Sequence, residues 1–166
     1  RAQRELMLAE SGMLTVHPED VDMGEFLGGL TEGYQHHVSL RGKFLRYEAP
    51  ECPARVVTDR ALLGRVVGNM LKNAIEATPP DGIVIVRCIA GEGAAEVSAH
   101  NPGHMPRHVQ LQLFKRSFST KGEGRGLGTY SMKLLGEQYL QGKIDFLSTP
   151  EAGTTFRAIF PSLPKR

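Results

Sequence analysis

Residues 59–80 read DRALLGRVVGNMLKNAIEATPP, and more hangs on this stretch than on any other. Thr58 and Asp59 carry side-chain oxygens that accept from the unpaired N–H groups of a helix start. Pro79 and Pro80 end the helix, because proline lacks the N–H and clashes with the preceding turn. Between them Leu63, Val66, Val67, Met70, Leu71, Ala74 and Ile75 recur at helical spacing as a wide, core-facing stripe. At about 100° per residue, Asn69, Lys72, Asn73 and Glu76 gather on the other side. Asparagine is a mediocre helix former, since its amide competes for backbone hydrogen bonds. Two of them beside Lys72 and Glu76 can line a site. An amide oxygen is a hard, neutral ligand suited to Mg²⁺, and lysine meets phosphate as a point charge. A solvated face is the default for a surface helix, so the stripe needs support from elsewhere.

On the N-terminal side, residues 1–11 have a helical pattern that Gly12 closes, and Leu14, Thr15 and Val16 predict a short strand. Met23, Phe26, Leu27, Leu30 and Tyr34 share one stripe of a helix over 22–38, with Asp20 or Asp22 as its cap. Short strands follow at 44–48 and 55–57. Beyond the prolines, an Asp81-Gly82 turn leads into IVIVRCI, apolar on both faces and hence predicted to be a buried central strand. Ala95, Val97 and Ala99 alternate with Glu96, Ser98 and His100, as in a half-exposed neighbour. Residues 101–126 carry Pro102, Pro106, Lys115-Arg116 and several glycines. They read as a loop with one helical turn near 109–114, and so long a loop in a compact domain is usually functional. A helix over 127–140, closed by Gly142, and strands at 143–147 and 154–160 complete the chain. The fold class is α+β: a two-layer α/β sandwich whose mixed sheet is covered on one face by helices.

A chain of 166 residues and net charge +2 fits one domain and gives no basis for nucleic-acid binding. Cys52 and Cys88 form no CxxC pair and no metal spacing, which fits a reduced, cytoplasmic setting. No apolar run is long enough to cross a bilayer. The chain opens at Arg1 without Met and reads as a piece of a longer protein, so its parent is either soluble or membrane-anchored.

Residues 121–130, KGEGRGLGTY, place glycine at every second position from Gly122 to Gly128. The P-loop pattern fails because no lysine follows Gly128, and the dinucleotide fingerprint fails because Leu127 or Thr129 stands where its third glycine belongs. The physics beneath both still applies. Small residues let backbone N–H groups approach an anion, and the helix that follows presents unpaired donors. A flexible linker is the competing explanation, but linkers seldom run straight into an amphipathic helix. The stretch reads as a phosphate-contacting, mobile loop.

Together these pieces resemble the GHKL superfamily of ATP-binding domains, which includes DNA gyrase, the Hsp90 chaperone, MutL and the catalytic domains of sensor histidine kinases. RALLGRVVGNMLKNAIEAT looks like the family's N box, LFKRSFSTK like its F box and GEGRGLG like its second glycine box. GTTFRAIFP is similar to its last strand. The resemblance covers about residues 20–162. It implies an ATP-binding catalytic domain there, the end of a phosphoacceptor and dimerisation hairpin with its linker over 1–19, and a tail at 163–166. The likeness is greatest to histidine kinases. Hydrolytic members carry Glu where this chain has Asn69, and an amide is no useful base for activating water.

The resemblance implies a set of roles. Asn73 would bind Mg²⁺ assisted by Asn69, and Lys72 would contact phosphate. The backbone of Gly122, Gly124, Gly126, Leu127 and Gly128 would cradle the phosphates. Lys121, Thr120 and Arg116 would neutralise charge as the γ-phosphoryl leaves for a histidine, with Asn69, Lys72 and Lys121 as the catalytic set. The first glycine box departs from the family's D-x-G-x-G. The chain reads AHNPGHMP, which puts Asn101 at the adenine-binding Asp and Gly103 at the first Gly. Thr154 matches the strand position that helps hold the base, and His100 or His104 stands nearby as a substitute contact. No histidine here sits in an acceptor pattern, so the acceptor is expected in the same kinase but outside this chain, acting in cis or across a homodimer, with a response regulator downstream. Two other expectations compete: a degenerate module that binds a protein partner without ATP, and a hydrolytic ATPase.

Overall fold

A computed structural model of the chain describes residues 2–37, 40–116 and 127–165. Five strands form one sheet in the order β2-β4-β5-β7-β6. They are β2 (Phe44–Glu48), β4 (Ile83–Gly91), β5 (Ala94–Asn101), β6 (Lys143–Thr149) and β7 (Gly153–Pro161). β2 runs parallel to β4 and every other pairing is antiparallel, so the sheet is mixed. A separate antiparallel pair joins β1 (Glu19–Asp22) to β3 (Arg55–Thr58).

One face of the sheet is covered by α2 (Met23–Gln35), α3 (Arg60–Glu76) and α5 (Leu127–Lys133). The strands alternate accordingly: Val84, Val86 and Cys88 of β4, and Ala95, Val97 and Ala99 of β5, are buried beneath the helices. The core they share with α3 includes Leu63, Val66, Met70, Leu71 and Ile75, all fully buried. Each such side chain contributes roughly 1.5–3 kcal/mol on leaving water. Asp22 caps α2 by accepting from the Glu25 N–H, and Asp59 caps α3 through the Leu62 N–H.

Three expectations need correction. Residues 14–16 are not a strand; Leu14 and Val16 pack on the core without a ladder, and pairing begins only at Glu19, opposite Thr58. Pro18 has no N–H to extend that ladder. β4 is not buried on both faces, for Ile83 and Ile89 are 43% and 53% exposed on the side without helices. Its apolar run reflects the fit of β-branched side chains to a pleated surface rather than double burial. Finally, the helix predicted over 127–140 is α-helical only to Lys133 and widens into π-helix over Leu134–Tyr139.

The widening has a local cause. Gly136 lies so close to β6 that a Cβ there would stand 2.7 Å from Ile144 Cδ1. The Leu140 N–H donates to Leu135 O, and the Gly142 N–H reaches back to Gly136 O at 2.8 Å. The chain thus bends onto β6 through longer-range backbone bonds, a geometry that helical periodicity does not encode. Before β1 lies α1 (Ala2–Glu10), and between β5 and α5 lies the short α4 (Arg107–Gln110), starting earlier than the helical turn expected near 109–114.

Candidate functional site

The polar stripe of α3 lines a cavity, with Lys72 exposed at its mouth. Asp59 fixes the start of the helix with both carboxylate oxygens, one accepting from the Leu62 N–H at 3.0 Å and the other from the His17 N–H at 2.8 Å. With the apolar stripe pinned to the sheet, Asn69, Lys72, Asn73 and Glu76 are turned into a cavity of about 600 Å³. That volume lies within the ~300–1,000 Å³ usual for small-molecule sites.

The far wall is built from the ends of β5 and β7. Asn101 and Thr154 are register partners there, each only 3% exposed, and both line the cavity with Gly103. Asn101 Nδ2 donates to Pro102 O at 2.8 Å. This bond fixes which way the amide points and leaves Oδ1 as an acceptor for a guest. Thr154 Oγ1 donates to Gly103 O at 3.0 Å and lies 2.8 Å from Ser148 Oγ. The single Thr154 hydroxyl proton is used on Gly103, so Ser148 donates to Thr154. Ser148 Oγ in turn accepts from the Met105 N–H at 2.7 Å. Gln110 Nε2 donates to Met105 O at 2.8 Å, which ties α4 to the same loop.

Two glycines make this corner possible. Gly103 sits at φ +89°, where L side chains are strained. Gly153, at φ +76°, leaves only 2.6 Å between a hypothetical Cβ and Asn101 O. The apolar part of the lining includes Met105, Val109, Leu113, Leu135 and Phe156. Phe156 is braced by Phe114 and Phe146, whose ring centroids stand 6.5 and 6.0 Å away. Phe114, in the LFKRSF stretch, therefore anchors its segment to the sheet. Across the cavity, Thr129 Oγ1 donates to Leu113 O.

The sequence-predicted residues Asn69, Lys72, Asn73, Asn101, Gly103, Leu127, Gly128 and Thr154 all line this one cavity. Gly128 comes close to α3, since a Cβ there would stand 3.6 Å from Asn69 Oδ1. Thr120, Lys121, Gly122, Gly124 and Gly126 lie outside the described residues. Arg116 does not take the expected place among the lining residues; its guanidinium meets the Glu10 carboxylate of α1 at 2.5 Å. His100 is bound by its ring Nε2 to Ala152 O at 2.8 Å, whereas His104 does line the cavity.

The sequence reading missed four groups. Ser148 and Gln110 hold the Asn101–Met105 corner only through tertiary contacts, so nothing local announces them. Arg65 lines the cavity one turn before Asn69, on the same α3 stripe, and its spacing was readable. Ala2, Gln3, Glu5 and Leu6 of α1 line the cavity too.

Comparison with known proteins gives the chain its family. The sequence profile of the histidine kinase-, DNA gyrase B- and HSP90-like ATPases matches residues 58–164. The chain belongs to this ATPase family. It is 30% identical over 145 residues to the sensor histidine kinase ZraS of Klebsiella oxytoca, covering 86% of this chain and 31% of that protein. Sporulation kinase A of Bacillus subtilis is 29% identical over 157 residues, covering 94% of this chain and 26% of its own length. The chain thus spans less than a third of these curated relatives. Among solved structures, the catalytic domain of the histidine kinase ThkA superposes with a TM-score of 0.79 at 25% identity, covering 89% of this chain and 97% of that domain. The α+β fold, with its mixed five-stranded sheet, is the fold of these kinase catalytic domains. Among the described residues of this ATPase domain, no helix is long and apolar enough to cross a membrane.

Proposed function

We propose that this domain binds ATP with Mg²⁺ in the cavity between α3 and the Asn101–Met105 corner, and that it donates the γ-phosphoryl to a histidine outside this chain. The observation that carries the reading is the meeting of two independent sequence features in one cavity. These are the Asn69–Glu76 stripe of α3 and the buried Asn101–Thr154 pair.

The donors present fit such a ligand. The apolar lining accepts a flat base, and Asn101 Oδ1 is placed to accept from an exocyclic amine. Among the described residues no cluster of three His, Cys, Asp or Glu side chains forms a metal cage. Mg²⁺ needs none, since it is commonly held by one or two protein groups together with phosphate oxygens and water. Asn73, helped by Asn69, would hold it, and the ion would supply neutralising charge for the phosphates. Lys72 would meet a phosphate oxygen, and the N–H groups of Leu127 and Gly128 would cradle the chain beside Asn69. In the reaction a P–O bond to the γ-phosphorus breaks as a P–N bond to the imidazole forms, leaving ADP. Such transfer depends mainly on positioning and electrostatic stabilisation. Asn69 offers no base to activate water, which favours transfer over hydrolysis.

On this reading residues 20–162 form the catalytic domain and residues 1–19 the end of the phosphoacceptor hairpin. A response regulator would accept the phosphoryl from the histidine, and the work would be done on the cytoplasmic side, where ATP is. The test is calorimetric titration with a non-hydrolysable ATP analogue, with and without Mg²⁺, on the wild type and on Asn73→Ala. Binding that requires Mg²⁺ and weakens at least tenfold in the variant is the expected result. No binding at millimolar analogue by folded protein would exclude it.

A further inference from the structure

Helix α1, expected from the sequence as a helix at the end of a hairpin, lies across the cavity. Leu6 and Ala9 are buried against the body of the domain, and the Tyr139 hydroxyl donates to Ala9 O at 2.6 Å. Its two carboxylates reach opposite sides of the site. Glu5 meets Arg65 of α3 at 2.9 Å. Glu10 meets Arg116 at 2.5 Å and accepts from the Tyr130 hydroxyl of α5 at 3.0 Å. One short helix therefore ties the α3 wall to the α5 wall while its own side chains line the space between them.

We propose that α1 is a strap, held through its two carboxylates, whose docking competes with polyphosphate binding in this cavity. The proposal rests on the nucleotide reading above. Arg65, a cavity-lining cation on the same stripe as Asn69, is occupied by the α1 carboxylate that a polyphosphate would have to displace. Glu5 also places negative charge in the lining, where like charge opposes an anionic guest. The hydrogen bond from Arg116 holds the Glu10 carboxyl below its usual value, so the strap is charged at neutral pH. By linkage, whatever α1 docking takes from ligand affinity, the ligand takes from α1 docking. Both ion pairs are partly exposed, so the coupling is modest and tunable rather than a permanent block.

The experiment pairs hydrogen exchange of the α1 amides with titration of the Mg²⁺-loaded, non-hydrolysable ATP analogue. It uses the wild type, the double variant Glu5→Gln/Glu10→Gln and the charge swap Glu10→Arg/Arg116→Glu. The glutamines keep side-chain size and hydrogen bonding, and thermal melts establish that each protein is folded. Expected results are faster α1 exchange in the wild type on adding the analogue, and about threefold to tenfold tighter binding by the double variant, the scale of two exposed ion pairs. The swap should return towards wild-type affinity. Equal or weaker binding by the double variant, with α1 exchange indifferent to the analogue, overturns the strap alone. Binding by none of the proteins overturns the nucleotide reading and the competition together.

Discussion

α3 and α5 pack against each other beside one cavity that both line, and they are built in opposite ways. α3 draws its form from its own residues: a buried Asp cap at Asp59, a core stripe with eight buried side chains and a stop at two prolines. α5 draws its form from neighbours. After seven residues it widens into a π segment because Gly136 must sit on Ile144 and because Glu137 Oε2 accepts from the Ile144 N–H at 3.0 Å. The polar groups that would hold metal and phosphate stand on the self-determined wall, while the wall that depends on context carries small residues and backbone. The difference teaches that a site's precise side chains belong on an element that cannot slip, with adaptability kept opposite.

Cutting into α3 should therefore have the largest effect. Leu71→Ala removes a fully buried side chain from the stripe and should cost about 2–5 kcal/mol, read as a lower midpoint in urea denaturation with an unchanged slope. A loss under about 1 kcal/mol would mean that α3 is no more self-sufficient than α5. Next comes Gly136→Ala, expected to cost about 1–3 kcal/mol because the new methyl collides with the end of Ile144. The colliding atoms are Ile144 Cδ1 at 2.7 Å and Cγ1 at 2.9 Å, so Ile144→Val, which removes only Cδ1, should recover part of the loss. Failure of that rescue would show that backbone bonds, rather than the tight glycine contact, set the π segment. Asp59→Ala should cost about 0.5–2 kcal/mol as a lost cap, with exchange rising in the first turn of α3 and near His17.

The same contrast explains what was legible in the sequence. The bounds of α3 were readable nearly to the residue because cap, stripe and stop are all local. β2 was readable over 44–48 for the same reason. The strand expected at 14–16 failed because apolar residues can pack without a partner strand, and pairing is decided elsewhere in the chain. β4 looked doubly buried because a β-branched run reads alike on a covered or a half-open sheet. In the cavity, Asn69, Lys72 and Asn73 were legible from spacing. Asn101, Gly103 and Thr154 emerged only through a family resemblance, since β5 and β7 meet through long-range register. Ser148, which orients Thr154, carries no local signature at all. α1 was legible as a helix but not as part of the site, because its carboxylates meet Arg65 and Arg116 only where the fold delivers them.

The smallest expected effect distinguishes the two walls by charge. Asp145 on β6 is held below its usual carboxylate value by the Arg157 hydrogen bond, with Lys143 and Lys133 adding to the effect. Glu10, against α5, is likewise lowered by Arg116. A carboxyl whose folded pKa is depressed stabilises the fold fully above its unfolded value, here the ordinary 3.8 for Asp and 4.5 for Glu, and loses that contribution as pH falls through the folded value. Glu10 meets Tyr130 of α5, and Asp145 stands on β6, the strand onto which the π segment packs, with Lys133 of α5 among the charges acting on it. Lowering pH from 7 to about 3 should therefore raise exchange in α1, α5 and β6 before it does so in α3. Because these pairs are exposed to water, high salt at pH 7 should mimic the acid effect weakly and in the same segments. The measurement is exchange by segment, corrected for intrinsic rates at each pH. Simultaneous loosening of α3 and α5 would mean that the two walls share one cooperative unit, and the contrast between them would then hold for packing but not for charge.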